Sequence, residues 1–394
     1  MINIAIIPPN TLPIPNIKGG AIETLTTSLI IQNEKNEKCH MYIYNGDKYE
    51  TELKKYKYKN STIKIIKSKC YDRIFDFGWL IIRKIFRYRV PYCNSFINRV
   101  CKEIKKDGID YILVEGNPHY VWKISKVTGI KPCLHIHTDH VLDEQTRSYS
   151  QIIENCDKII CVSKYIKNQI AKIKNIDLQK LCVCLNCTDL DKFNPKSREM
   201  YREQIRKKLG IKSSDIVFTF VGRVDPMKGV GELLEAFKKC SVENKKLLIV
   251  GGNNFGDSIE TDFFKFLKNE EELSSGKIIL TGFIDRKKLP EYYSAADIYV
   301  SPSKYDEAAP LANIEAMSMG LTCIVSNKGG TLEYTDKNCI VVDVNNNAVN
   351  NIVYAMNNAP LLDRKKDGGV NNKWSVERYY QDMILFLLHS RDVI

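Results

Sequence analysis

The sequence contains no apolar run of about 18 residues, which is the length that a membrane-spanning helix requires. Low-complexity segments and short-period repeats are also missing, and this excludes repeat architectures. Residues 1–7 are apolar but too few for the core of a signal peptide, and two prolines follow them. We therefore interpret this segment as a buried first strand and predict a cytoplasmic protein.

Cysteine is plentiful, with 13 residues, but the spacing lacks the even framework of disulfide-rich domains. Reduced thiols are therefore expected. Cys182, Cys184 and Cys187 form one cluster, and a metal site there would need a fourth ligand and a chelating turn. We favour a buried strand that happens to use cysteine over a metal site.

Negative charge is scarce in the first half of the chain. Residues 1–200 hold 33 Lys and Arg against 21 Asp and Glu, so the whole net charge of +12 lies there, while residues 201–394 hold 26 of each. Residues 51–110 alone hold 16 basic and 6 acidic groups. Within residues 71–106, basic side chains alternate with apolar and aromatic ones at Tyr71, Arg73, Phe75, Phe77, Trp79, Ile81, Ile82, Arg83, Lys84, Ile85, Phe86, Arg87, Tyr88, Arg89 and Tyr92.

Residues 71–106 permit more than one interpretation. An anionic membrane surface would bind both the cations and the apolar side chains, which would place the protein peripherally on the inner face of the cell membrane. The structural alternative is a helix with a solvated basic face and an apolar inner face. Nucleic acid is the least favoured partner, and we predict that none is bound.

Short apolar strands alternate with helical stretches throughout the chain, which is the pattern of parallel α/β layers. The alternation of strands and helices is interrupted at residues 186–198 and resumes after them. We therefore predict two doubly wound parallel-sheet domains that meet near residue 195 and face each other across a ligand-binding cleft. The predicted strands are residues 2–7, 41–44, 63–66, 111–114, 133–136, 158–162, 181–185, 216–221, 246–250, 278–280, 298–300, 323–325 and 340–342.

Two glutamates stand eight residues apart in the second domain. Glu307 lies in a loop after the predicted strand 298–300, and Glu315 lies in a helix predicted to end at Gly320. A strand, a loop and a helix N-terminus form an anion site, and carboxylates beside it can accept hydrogen bonds from hydroxyls. Carboxylates on both sides of an anion site suit a ligand that has hydroxyls, then phosphates, then hydroxyls, and a nucleotide sugar has this layout. About five helical residues, roughly 8 Å, separate Pro310 from Glu315, which is near the span from a diphosphate to a ribose.

Two cations follow the first strand of the second domain. After a turn at Gly222, Arg223 and Lys228 lie on a loop that leads into a helix. Two cations at the carboxyl end of a strand suit a pyrophosphate, and arginine can bind it in a fork. The alternative is a pair of ordinary surface cations, which is less favoured because Glu307 and Glu315 lie in the same domain.

The first domain offers weaker signals. Gly19 and Gly20 open a helix after the first strand, where paired glycines allow close approach of the backbone to a ligand, although an ordinary loop fits as well. Alternation along strand 133–136 puts His135 and His137 on one face. A metal-binding pair is one interpretation, but no Glu-x-x-His companion supports it. We favour His137 as a histidine at the carboxyl end of the strand, facing the cleft.

On these residues the chain resembles the retaining nucleotide-sugar glycosyltransferases of family 4, which have the GT-B fold of two Rossmann-like domains. The specific motifs lie in the second domain, at residues 220–229, 281–285, 296–303, 307–320 and 328–333. The first domain matches more loosely, at Gly19-Gly20, His137-Thr138, Val162-Ser163, Asn186, Asp189, Phe193 and Pro195. The resemblance implies an acceptor-binding domain at residues 1–195, a nucleotide-sugar-binding domain at 196–373, and a C-terminal helix at 374–394 that crosses back toward the first domain.

The resemblance also implies roles. Arg223 and Lys228 would hold the diphosphate and stabilise the charge that develops as it leaves. Glu315 would bind the ribose hydroxyls, Glu307 would bind a hydroxyl of the donor sugar, and His137 would lie close to that sugar and assist positioning or proton transfer. Among the other donor-binding positions, the backbone of Gly19 and Gly20 would approach the diphosphate and the acceptor when the domains close, and Phe283 and Ile284 would lie beside the base. The remaining donor-binding positions are Ala309, Leu311 and Ala312.

The implied reaction is glycosyl transfer with retention of configuration. A UDP-sugar is favoured as the donor over GDP-mannose, and the acceptor would be a glycan or a lipid-linked sugar in the synthesis of bacterial surface polysaccharide, such as capsule or lipopolysaccharide. No carboxylate of the first domain is an evident covalent nucleophile, so we prefer front-face attack. No metal or other cofactor is expected, because Arg223 and Lys228 supply the positive charge. The alternatives are a non-hydrolysing nucleotide-sugar epimerase and a non-catalytic nucleotide-sugar-binding protein.

Two positions depart from the family pattern. Pro310 stands where the family usually has glycine, and we expect it at the first helical position, which proline favours. Cys187 replaces the glycine of an Asn-Gly turn. Asp189 and Asp191 look like the Asp-x-Asp metal clamp of the other major glycosyltransferase fold, but they lie in the linker, and we interpret them as unrelated to metal binding.

Overall fold

The computed structural model describes residues 1–86, 93–138, 149–173, 176–252, 261–336, 339–361 and 372–388. Contacts divide the chain into two compact units, Met1–Asn186 with Val376–Ile394, and Cys187–Ser375. The boundary between the two units therefore lies after residue 186, whereas the boundary predicted from the sequence lies near residue 195. Arg87, Tyr88, Arg89 and Tyr92, which were part of the membrane interpretation, lie outside the described residues.

The described part of the first unit carries seven strands and seven helices before the linker. The strands are β1 (Ile2–Ile7), β2 (Cys39–Gly46), β3 (Ser61–Ile66), β4 (Tyr111–Glu115), β5 (Cys133–Ile136), β6 (Ile159–Cys161) and β7 (Leu181–Val183). The helices are α1 (Ala21–Asn36), α2 (Glu50–Leu53), α3 (Asp72–Ile85), α4 (Ser95–Asp107), α5 (His119–Thr128), α6 (Tyr149–Asn155) and α7 (Lys164–Ile170).

The strands of the first unit are all parallel, in the order β3-β2-β1-β4-β5-β6-β7. Residues 4–7 of β1 are completely buried, as expected for a strand with helices over both faces. The register between β4 and β5 sets Glu115 beside His135. This pairing brings two ionisable side chains to the carboxyl end of the sheet.

The second unit repeats the plan with six strands. They are β8 (Ile216–Val221), β9 (Lys245–Val250), β10 (Ile278–Leu280), β11 (Ile298–Ser301), β12 (Thr322–Ser326) and β13 (Cys339–Val342). Its helices are α8 (Pro195–Lys208), α9 (Val230–Lys239), α10 (Asp262–Leu273), α11 (Leu289–Ala295), α12 (Leu311–Ser318) and α13 (Ala348–Asn358). All neighbours are parallel, in the order β10-β9-β8-β11-β12-β13, and the buried core lies between this sheet and its helices.

The last described helix, α14 (Val376–Leu388), returns to the first unit and packs against α1. There the Tyr380 hydroxyl donates a hydrogen bond to the Asn33 side chain at 3.0 Å. The Arg378 guanidinium caps the carbonyls of Leu185 and Asn186, each at 2.8 Å. The helix is thus an integral part of the first unit.

Each sheet has one point at which the strand order reverses. It lies between β1 and β4 in the first unit and between β8 and β11 in the second. Ligands of doubly wound sheets bind outside the carboxyl ends of the strands at such switch points. The prediction of two doubly wound parallel sheets is confirmed, and the two switch points are where a site is expected. Among the described helices, none is long and apolar enough to cross a membrane.

Candidate functional site

The switch point of the second unit brings Lys228 and Glu307 together. Lys228 lies on the loop after β8, and its Nζ is 2.6 Å from Oε1 of Glu307, which follows β11. The Ser303 hydroxyl donates a hydrogen bond to the same carboxylate oxygen at 2.7 Å. Gly229 has φ 76°, and a Cβ there would collide with the carbonyl of Pro302. The glycine therefore lets the two loops approach closely enough for the ion pair to form.

The loop that carries Glu307 is held by the two glycines of the 328–333 motif. The backbone N–H of Gly330 donates to the Glu307 carbonyl at 2.6 Å. The N–H of Gly329 donates to the Asp306 carboxylate at 3.1 Å. One bond holds the backbone carbonyl of Glu307 and the other holds the side chain of the residue before it, so the loop that presents the Glu307 carboxylate to Lys228 is fixed.

Arg223 is placed differently from Lys228, although both lie on the loop after β8. Its side chain is 46% exposed, and the guanidinium lies 3.4 Å from the Asp225 carboxylate. Phe283, on the loop after β10, is likewise exposed, and Ile284 beside it is half-buried. The structure therefore presents a cation and an aromatic ring to solvent at the carboxyl ends of β8 and β10, which lie on either side of β9.

Glu315 has its own set of partners and does not share those of Glu307. It is the fifth residue of α12 and is only 2% exposed. Arg286 forms an ion pair with Oε1, and the Tyr293 hydroxyl donates to Oε2 at 3.1 Å. Burial, and then the negative charge of Glu315, raise the pKa of Tyr293 well above its usual range, so the phenol remains a neutral donor. Arg286 and Tyr293 were absent from the sequence prediction.

The start of α12 corrects one expectation. Pro310 has φ −73° and ψ 107° and precedes the helix, so it occupies the capping position and not the first helical one. The amides of Leu311 and Ala312 belong to the first turn, next to Ala309 in the loop. Cys187, the other departure from the family pattern, is buried and does not have a positive φ.

The switch point of the first unit holds a buried carboxylate with two histidines. Nδ1 of His135 and Nε2 of His137 lie 3.0 and 2.8 Å from the same oxygen, Oε2 of Glu115. Burial alone would raise the pKa of Glu115, but the two imidazoles outweigh it and lower the pKa to about 2. Burial and the neighbouring His135 lower the pKa of His137 to about 4. A carboxylate can only accept, so His137 is neutral with the proton on Nε2, and Nδ1 is left as an acceptor.

A carboxylate and two imidazoles are also common metal ligands, and the three ligand atoms all lie within 4.8 Å of one another. They form the one such group found among the described residues. The 2.8 and 3.0 Å separations are those of hydrogen bonds, and we interpret the group as a hydrogen-bonded cluster. The sequence prediction missed Glu115, although this residue directly follows the predicted strand 111–114, which precedes the strand of His135 along the chain.

Gly19 and Gly20 lie at the same switch point, where α1 begins. Gly20 has φ 100°, and a Cβ there would collide with the carboxylate of Glu23, which folds back over the helix start. Glu23 is 4% exposed. Burial, together with the charge of Glu115, raises its pKa to about 7, against the effect of a backbone hydrogen bond. The sequence analysis gave Glu23 no role.

The raised pKa of Glu23 predicts a pH-dependent stability. Because the folded pKa of about 7 exceeds the ordinary 4.5, the free energy of unfolding falls as the pH rises through this window, by up to about 3 kcal/mol. Glu23→Gln should remove this loss and be the more stable protein at pH 8. Chemical denaturation at pH 4.5 and pH 8 measures the effect. Glu154→Gln, at an exposed position of α6, is the matched control, and equal slopes in all three proteins would contradict the assignment.

Solved structures with this arrangement of two sheets define the fold class. The structure of Anabaena HepE in complex with UDP-glucose matches with a TM-score of 0.71 at 15% sequence identity, over 98% of each chain. A glycosyltransferase from Rickettsia africae gives a TM-score of 0.74 at 19% identity, over 98% of this chain and 97% of its own. Likeness at such identities concerns the fold alone. The chain has the GT-B fold of two Rossmann-like domains.

The sequence of the second unit is similar to a known family. Residues 201–368 match the family described as Glycosyl transferases group 1. The matched segment contains Arg223, Lys228, Glu307 and Glu315.

Curated relatives match over part of their length. Spore coat protein SA of Bacillus subtilis is 27% identical over 252 residues, which are 62% of this chain and 67% of the relative. The UDP-Gal:alpha-D-GlcNAc-diphosphoundecaprenol alpha-1,3-galactosyltransferase of Escherichia coli is 33% identical over 190 residues, which are 47% of this chain and 44% of the relative. The chain thus spans about half to two thirds of the length of these relatives.

Proposed function

We propose that the chain is a retaining glycosyltransferase of the family 4 type. It would move a sugar from a nucleotide-diphosphate sugar to a glycan or lipid-linked acceptor in bacterial surface polysaccharide synthesis. One observation carries the proposal: Lys228 is paired with Glu307 at 2.6 Å at the switch point between β8 and β11, and Arg223 is exposed on the same loop.

The chemistry of the site suits a diphosphate leaving group. Negative charge develops on the phosphate oxygens as the bond to the sugar breaks, and fixed cations stabilise that charge without reorganising. Glu307 holds the ammonium of Lys228 in place before any ligand arrives, and Arg223 adds a forked donor. The second oxygen of Glu307 is then the acceptor for a hydroxyl of the donor sugar, while Glu315 receives the ribose and the exposed Phe283 stacks on the base.

The preference for a UDP-sugar over GDP-mannose draws on the relatives. The E. coli relative is named for a UDP-Gal donor and a diphosphoundecaprenol acceptor. A relative from Salmonella typhimurium is named lipopolysaccharide 1,2-N-acetylglucosaminetransferase. These names support a donor and an acceptor of the same chemical kinds for this chain.

We propose that the acceptor enters at the switch point of the first unit. Gly19 and Gly20 are half-buried there and, lacking side chains, would allow a ligand to approach the backbone. Neutral His137 keeps Nδ1 as a hydrogen-bond acceptor for a sugar hydroxyl. Glu115 is committed to the two histidines, so we assign it no nucleophilic role, and front-face attack remains the preferred route to retention. The reaction would need no metal, because Arg223 and Lys228 supply the charge that a metal would bring.

The test is transfer from labelled UDP-glucose, UDP-galactose, UDP-N-acetylglucosamine or GDP-mannose to a bacterial membrane extract, with EDTA present. We expect transfer from at least one UDP-sugar, with the anomeric configuration of the donor retained. NMR of donor and enzyme without extract should show no change, since conversion there would indicate an epimerase. Absence of both transfer and a thermal shift with every donor would overturn the proposal, and a shift without transfer would favour a binding protein.

A further inference from the structure

Helix α3 has an unusual orientation, because two of its charged residues face the protein while most of its apolar residues face solvent. Asp72 and Arg83 are buried. By contrast, Ile74, Phe77 and Ile85 are 76%, 64% and 70% exposed. The full set of exposed apolar residues on and next to this helix is Tyr71, Ile74, Phe75, Phe77, Leu80, Ile81, Ile82, Ile85 and Phe86. We call this set the α3 face. A helix with a solvated basic face and an apolar inner face, the alternative raised from the sequence, is therefore not what the structure shows.

Polar contacts on the inner side hold α3 in this orientation. The Arg99 guanidinium of α4 forms an ion pair with Asp72, with Nη1 and Oδ1 2.8 Å apart. The Asp76 carboxylate accepts hydrogen bonds from the backbone N–H and the hydroxyl of Ser95, at 2.7 and 2.8 Å. Rolling the helix to bury its apolar side would break all of these bonds. Exposure of the α3 face is thus imposed by the fold.

Within the described residues 69–86, the exposed charges beside the α3 face are all positive. Lys69, Arg73 and Lys84 are exposed beside it. Both carboxylates of α3, Asp72 and Asp76, are bound on the inner side. A second copy of the same face would bring these cations against each other, which disfavours self-association. A partner with an apolar interior and an anionic surface would bind both the apolar side chains of the α3 face and the cations beside it.

We propose that the α3 face docks into the interface of an anionic lipid bilayer. The helix has 14 residues, about 21 Å, and would lie in the plane of the membrane with its apolar side chains among the acyl chains and its cations at the headgroups. The proposal goes beyond the proposed function and does not rest on it. It would bring the first unit to the surface where a lipid-linked acceptor resides.

Vesicle flotation of the full chain tests the apolar part. We expect binding to phosphatidylcholine vesicles that contain phosphatidylglycerol, with weaker binding at high salt or without the anionic lipid. Phe77→Asp should weaken binding by roughly tenfold or more. Ile31→Asp is the matched control, since it introduces the same charge at a 46% exposed residue of α1 in the same unit, and it should leave binding within about twofold.

The charge is tested separately by Lys84→Gln, which should weaken binding to anionic vesicles by about fivefold, while Lys126→Gln on α5 should not. Thermal melts show whether each variant is folded. The flotation assay contains no nucleotide, so its result does not depend on whether the sugar-transfer proposal is correct. The inference is overturned if vesicle binding by the wild-type chain changes neither with the anionic lipid content nor with the salt concentration. It is equally overturned if sedimentation shows that Phe77→Asp only dissociates a dimer, because a second copy would then occupy the face.

Discussion

Replacing Lys228 with alanine is expected to lower the turnover number of sugar transfer by about 10²-fold or more, on the order of 3 kcal/mol of transition-state stabilisation. The ammonium lies 2.6 Å from the Glu307 carboxylate, so its removal takes a cation from the proposed diphosphate site and also leaves a bare carboxylate there. Arg223→Ala should have an effect of similar size, because the guanidinium is exposed, lies as far as 3.4 Å from the Asp225 carboxylate, and is available to a ligand.

The measurement is turnover at saturating donor and acceptor, so that the loss is assigned to the chemical step. Lys238→Ala is a matched control, since Lys238 also forms an ion pair at 2.6 Å, with Glu270, but on helices away from the switch point. It should retain activity within threefold. An effect of less than threefold for Lys228→Ala as well would place the diphosphate elsewhere.

The fold was predictable because parallel strands buried on both faces are continuous apolar runs. Every strand of both sheets coincides with a predicted run, and β1, β5, β8 and β10 match residue for residue. Bounds elsewhere differ by one or two residues, because a strand ends where its pairing ends. For example, β2 begins at Cys39, two residues before its apolar run, because Cys39 pairs with Ile2 of β1.

For the candidate site, the meeting of Lys228 and Glu307 was predictable because both residues follow strand ends at one edge of the sheet. The site was not predictable where a partner comes from a distant segment. Arg286 and Tyr293 reach Glu315 from another loop and helix, and Glu115 meets His135 only through the register of β4 and β5. These contacts depend on packing, which residue spacing does not encode.

The orientation of α3 was also not predictable, because it depends on contacts with residues that are distant in the sequence. Its apolar periodicity alone favours burial of the apolar side. In the structure, Asp72 and Asp76 override this preference through Arg99 and Ser95, which lie 27 and 19 residues further along the chain. An ion pair and a hydrogen-bonded carboxylate that are partly buried are costly to break once formed, so they decide which side faces inward.

The two glutamates of the second unit should respond differently to substitution. Glu315→Ala is expected to weaken binding of UDP and of UDP-glucose equally, by about 10²-fold or about 3 kcal/mol, because a carboxylate that accepts two ribose hydroxyls loses two charge-assisted hydrogen bonds. Glu307→Ala should leave UDP binding unchanged or tighter, because Lys228 is then released toward the diphosphate, yet it should abolish the gain in affinity from the sugar. Isothermal titration with UDP and with UDP-glucose separates the two effects.

Folding must be controlled at Glu315, because alanine leaves Arg286 and Tyr293 without their carboxylate partner. Glu315→Gln keeps the size of the side chain and an acceptor for Tyr293, and should lose roughly tenfold in UDP affinity, about 1.4 kcal/mol, through loss of charge. Glu270→Ala, outside the site, should bind both ligands like the wild type. If both glutamate variants kept full UDP affinity and lost only turnover, the carboxylates would act as an acid/base pair. Loss of UDP affinity in Glu315→Ala, with loss of only the sugar contribution in Glu307→Ala, would identify a clamp. In that clamp Glu315 selects the nucleotide and Glu307 selects the sugar.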